Sequence, residues 1–136
     1  MKRWILLAAA ALLATAAAAQ GSPMRPPPAD VKPGRLVVTA PPDVTLDGKA
    51  DRLSPGSRIF DTRNLLVLSV ELVGQQLPVL YRREPMGMVH EVWVLTPEEF
   101  AKVAPEAAAA GSPDGHKRLA DLLELIWKAR YALLLR

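Results

Sequence analysis

The chain contains no cysteine. That removes disulfides, thiolate metal sites, a cysteine nucleophile and a lipid-modified N-terminal cysteine together. Aromatic residues are scarce, at 5%, and His90 and His116 are the only histidines. After residue 19 no segment is both apolar enough and long enough to cross a bilayer, which takes about 20 residues. A strong charge excess is missing as well. All 14 acids follow residue 19, whereas Lys2 and Arg3 precede it, so the chain from Gln20 onward carries +1, not the +3 of the whole. A phosphate-reading surface needs a positive excess. Residues 35–96 carry seven bases and seven acids, so nucleic acid is not expected as a partner.

What is present begins with a leader. Met1-Lys2-Arg3 is a short positive start, Trp4 to Leu13 is unbroken apolar sequence, and Ala17-Ala18-Ala19 places small residues at −3 and −1. This predicts a signal peptide over residues 1–19, cleaved after Ala19. The rival, an uncleaved anchor, is disfavoured because the stretch is short, mostly alanine and interrupted by Thr15. The expected product is a soluble periplasmic or secreted protein. Cleavage leaves 117 of the 136 residues, enough for one small domain.

Residues 20–34 hold five prolines and predict a disordered, extended spacer. Residues 35–104 predict a small β-barrel domain with a capping helix. Short apolar, β-branched runs lie at Leu36–Thr39, Val44–Leu46, Ile59–Phe60, Leu65–Leu68, Leu77–Arg83 and Met88–Leu95. Asp47-Gly48 and Ser54-Pro55-Gly56-Ser57 are turn signals between them. The pair 77–83 and 88–95, joined at Glu84-Pro85-Met86-Gly87, is the clearest hairpin. Leu77, Val79 and Tyr81 share one face, and Pro78 suggests an edge or bulged strand. The second arm is half apolar on both faces, so cover is expected from sheet curvature on one side and helix on the other.

The apolar period changes at Thr96. Thr96-Pro97-Glu98-Glu99 is a capping box with proline in the first turn, and Pro105 is expected to end or kink the helix it starts. Residues 105–115 then read as an Ala/Gly/Pro linker. Residues 116–136 read as an amphipathic helix with Leu119, Leu122, Leu123, Ile126, Leu133 and Leu134 on one stripe. Arg130 falls within that stripe, where it either snorkels to solvent, the preferred account, or meets a carboxylate on the sheet. The expected fold is mainly β: a small SH3-like or OB-like barrel of five to six short strands, with one short and one long α-helix.

The runs Gly48-Lys49-Ala50-Asp51-Arg52-Leu53-Ser54-Pro55-Gly56-Ser57-Arg58-Ile59, Asn64-Leu65-Leu66-Val67-Leu68-Ser69 and Val92-Trp93-Val94-Leu95-Thr96-Pro97-Glu98-Glu99 resemble a group of small exported bacterial proteins usually left as hypothetical. The resemblance spans about half of the chain after the leader. It brings no activity or ligand with it and implies that residues 35–100 form one unit.

Signals for chemistry are sparse. His90 and Glu91 are strand neighbours, expected on opposite faces, and His116 has no second histidine at helical spacing, so no metal site is expected. Ser54, Ser57, Ser69 and His90 supply the residue types of a serine hydrolase but not its Gly-x-Ser-x-Gly elbow. Glu98 and Glu99 are explained by helix capping. There is no phosphate loop or dinucleotide fingerprint, so no cofactor and no enzymatic activity are expected. Arg52, Arg58 and Arg63 read as surface partners of Asp51, Asp61 and nearby acids. The expectation is a non-catalytic exported interaction or structural module of the cell envelope. A small-ligand-binding periplasmic domain is the alternative, and a weak hydrolase using His90 the remote one. Tyr81, His90, Trp93, Trp127, Arg130 and Tyr131 form the candidate interaction or ligand surface. The last helix is a candidate for self-association or for an envelope protein partner.

Overall fold

The computed structural model describes residues 25–135. The expected leader over 1–19 and residues 20–24 lie outside the described residues, as does Arg136. Six strands form one sheet: β1 (Lys32–Ala40), β2 (Asp43–Leu46), β3 (Lys49–Phe60), β4 (Leu66–Val67), β5 (Gln76–Arg83) and β6 (Val89–Val94). A 3-10 turn covers Ser69–Leu72. Two helices follow, the shorter α1 (Pro97–Ala108) and the longer α2 (Pro113–Leu134). No helix among the described residues is long and apolar enough to cross a membrane.

The sheet is barrel-like. Its order is β2-β1-β5-β6-β3-β4, and β2 pairs with β3 as well, which joins five strands in a ring. All neighbours in the ring are antiparallel except β3 and β6, which run parallel. A parallel pair fits the OB-like alternative and not an all-antiparallel SH3-like barrel. Asp47 and Gly48, both with positive φ (54° and 80°), make the tight β2–β3 turn. Glycine meets that requirement without a Cβ penalty.

Strand alternation divides the apolar residues between two cores. Leu36, Val38, Val44, Leu53, Ile59, Val79, Tyr81, Val89, Val92 and Val94 fill the inside of the ring. Leu80, Trp93 and Leu95 point outward and are covered by Val103 and Ala107 of α1 and by Leu119, Leu123 and Trp127 of α2. Strand β6 is therefore covered on both sides. Its alternation is interrupted near His90: Arg82 pairs with Glu91 but Arg83 pairs with Val89. This bulge puts Val89 and Val92 into the same interior.

Several sequence expectations are revised. Strand β5 is not an edge, because β1 and β6 flank it. Pro78 is tolerated because it lies one residue beyond the last β5–β6 pair, Val79 with Val94, and its carbonyl still accepts from the Leu95 N–H (2.8 Å). Ser54-Pro55-Gly56-Ser57 does not separate two strands; it is an irregularity within β3, where the register with β6 jumps from Leu53 to Arg58. Leu65–Leu68 shrinks to the two-residue β4. Residues 29–34 are not a spacer: Ala29 and Val31 are buried in the outer core and β1 begins at Lys32. Residues 105–115 are not a linker. Pro105 lies inside α1, which continues to Ala108 with Ala107 packed in that core, and α2 starts at Pro113, capped by Ser112.

Candidate functional site

The helices leave part of the outer sheet face uncovered. Pairing aligns Arg58 with Glu91 and Phe60 with both Trp93 and Leu66, so five side chains from β3, β4 and β6 share that face. The Phe60 and Trp93 rings stack, 5.8 Å apart and 16° from parallel. Arg25, Pro26 and Pro28 wall one side, and Asn64 and Leu65 the other, enclosing a groove of about 770 Å³. Asn64 is held in the left-handed region (φ 63°) and its Oδ1 accepts from the Trp127 indole N–H (3.2 Å), which fastens the loop to α2. The floor is apolar and aromatic. Of the charges around it, Glu91 is engaged by Arg82 (3.0 Å). Arg25 and Arg58 have no carboxylate partner among the described residues.

Beside the groove runs an exposed apolar ribbon. Leu65, Leu66, Leu68, Val70 and Val73 are 45–67% exposed. The segment is pinned by two β3–β4 pairs, by a single bridge from Val73 to Val38, and by the inward packing of Val67 and Leu72. Strand β4, not the Pro78-bearing strand, is therefore the open edge of the sheet.

The six residues singled out in the sequence do not converge. Tyr81 is buried in the ring interior, on the opposite side of the sheet from Trp93. Trp93 alone of the six borders the groove. His90 is half-buried and its Nδ1 lies 2.7 Å from the Ser54 hydroxyl, joining the β6 bulge to the β3 irregularity. Such a pair has two members of a hydrolase triad, but no carboxylate is hydrogen-bonded to the other ring nitrogen among the described residues. Trp127 is buried beneath α2 and Tyr131 is exposed.

Arg130 neither snorkels nor meets an acid of the sheet. Buried to 6% exposure, it donates through Nε to Glu99 Oε2 (2.6 Å) and through Nη2 to Glu99 Oε1 (2.7 Å) and the Val94 carbonyl (3.0 Å). Its guanidinium lies 4.2 Å over the Trp127 ring. Glu99 thus serves twice, since Oε1 also accepts the Thr96 N–H of the capping box. Burial pushes the Glu99 carboxyl up. The hydrogen bonds from Arg130 and Thr96, with the Arg130 charge, outweigh it and hold the group below its ordinary value. At the far end of β6, Arg83 grips Asp51 with two hydrogen bonds (2.7 and 3.1 Å), which likewise holds Asp51 low against its desolvation.

Missed in the sequence were Arg58 and Phe60 as a face shared with Glu91 and Trp93, because only the β3–β6 pairing brings the two strands together, and Asn64, which the loop after β3 delivers to the side of the groove. The local signal was the run Asn64–Val73, too apolar for a surface loop. No family model, curated protein or solved structure matches the chain.

Proposed function

We propose that the protein is an exported, non-catalytic interaction module of the cell envelope. It docks a partner protein on the Phe60–Trp93 groove and the adjoining Leu65–Val73 ribbon. One observation carries this reading: five large apolar side chains stay wet along a weakly paired sheet edge, next to an aromatic floor. Apolar surface concentrated in this way is typical of a docking site. An open edge also offers backbone groups to a partner strand. The long helix plays a different part from the one its stripe suggests. Leu119, Leu123 and Trp127 are already committed to the protein's own core.

Site-specific photocrosslinkers at Leu66 and Leu68, with Lys117 on exposed α2 as the control position, test the reading in cells. A discrete crosslinked product is expected at Leu66 and Leu68, absent at Lys117 and lost when Val70→Asp is added. Equal crosslinking at all three positions, or none at Leu66 and Leu68, would refute it.

A further inference from the structure

The free edge of β4 has a definite register. The Asp61 N–H donates to the Leu65 carbonyl (2.9 Å), which makes that rung of the β3–β4 ladder a hydrogen-bonded one. Rungs of an antiparallel ladder alternate between bonded and unbonded. The next rung, Phe60 with Leu66, is therefore unbonded, and the Leu66 N–H and C=O point away from β3, off the sheet. Strand β4 ends the sheet order, and neither group finds a backbone partner among the described residues. An antiparallel pair joins both groups of one residue to one opposite residue. Leu66 thus offers a complete rung to an incoming antiparallel strand.

The same register fixes which side chains such a strand would meet. Leu66 lines the groove with Phe60 and Trp93, so a residue set opposite Leu66 points into the groove, as do those two places before and after it. Continuing the β3–β4 register sets Arg58 level with Leu68, and so level with one of those flanking places. An added strand would lie about 10 Å from β3, a gap that an arginine and a glutamate side chain span together. Charge then selects the strand. Arg25 and Arg58 line the groove without a carboxylate partner among the described residues. Glu91 is held by Arg82, and the Asp61 carboxylate accepts the Arg63 and Leu65 N–H groups. A second copy paired through its own β4 would place Asn64 and Leu68 at the flanking positions and supply no acid. We propose that the docked partner segment is an acidic extended strand, added antiparallel to β4, with an apolar residue opposite Leu66 and carboxylates two residues to either side. This rests on the docking reading above and names the chemistry of what docks.

Magnetic-resonance titration of the isotope-labelled full chain with defined peptides tests this. The parent probe is Thr-Glu-Thr-Phe-Thr-Glu-Thr, blocked at both ends. It should bind saturably, shift the Leu66 amide resonance and bind more weakly as salt rises. Exchanging both glutamates for lysine should weaken binding at least about tenfold. N-methylating the phenylalanine amide removes the donor that faces the Leu66 carbonyl and should abolish binding. The double variant Arg25→Gln, Arg58→Gln changes two exposed side chains, so it should fold normally and bind the parent about fivefold more weakly. The proposal is overturned if the lysine peptide binds as well as the parent, if the N-methylated peptide binds normally, or if the parent does not saturate. It is also overturned if the chain sediments as a dimer that Val70→Asp makes monomeric, since the edge then belongs to a second copy. Crosslinking to another protein at Leu66 and Leu68 that persists beside a failed peptide test leaves the docking surface standing with a partner of other chemistry. Loss of that crosslinking removes both readings.

Discussion

Arg130 illustrates how far a helical periodicity argument reaches. The spacing places it on the inner face of α2, and it is there. What it meets is set by a different helix, through a capping residue. Glu99 is explained locally by the Thr96 capping box, and nothing in its neighbourhood announces a second role. Removing the cation leaves a buried carboxylate unpaired, so Arg130→Ala should lower stability by about 3–5 kcal/mol, measured by urea denaturation at pH 7. The pH dependence follows from the direction of the Glu99 shift. Its folded value lies below its unfolded one, so the stabilisation is complete above the ordinary glutamate range. It is lost as pH falls through the depressed folded value. Urea midpoints taken from pH 7 to pH 3 should show that loss in the native sequence and a smaller one in Glu99→Gln. Identical slopes in the two proteins would contradict it.

Among the elements, the β5–β6 hairpin and the start of α1 were legible because their signals are local: alternation, a four-residue loop, and a capping pair three residues apart. The irregularities were not. The bulge near His90 and the in-strand Pro55-Gly56 arise where two strands distant in sequence must keep register, and each looks locally like a turn or a plain strand. The end of α1 was misread for a related reason. Proline argues for termination, but α1 accommodates Pro105 and runs on to Ala108, with Val103 and Ala107 on either side of it packed in the outer core. The α1–α2 corner also rests on close approach. A Cβ at Gly115 would run into the Ala109 carbonyl oxygen, so the backbone itself must yield. Gly115→Ala, ordinarily favourable inside a helix, should here destabilise by about 1–3 kcal/mol. A rise in melting temperature would show that the corner has slack.

At the scale of the whole molecule, composition indicated one small β domain with helices but not how its sheet closes. Ring closure depends on β2 meeting both β1 and β3, and on β3 lying parallel to β6. Neither is written in any window of sequence. The candidate face was hidden with it, because Arg58, Phe60 and Trp93 become neighbours only across that parallel pair. Export belongs to this scale too. If residues 1–19 are removed on export, protein recovered from the periplasm or medium should begin at Gln20 by N-terminal sequencing. A protein retained in the cytosol with Met1 or Lys2 as its first residue would contradict this.

The connectivity of β1 carries a consequence for how the chain is made. Its first residue, Lys32, is matched with Tyr81, and the ring is sealed only when Ile59 finds Val92. An N-terminal portion leaving the ribosome thus holds strands whose mates have not been synthesised. Its outer layer, moreover, waits for the last helix. Topologies dominated by such distant pairings consolidate slowly. If the proposed export carries the chain through a translocase as an open strand, this delay would keep the substrate pliable until nearly all of it has emerged.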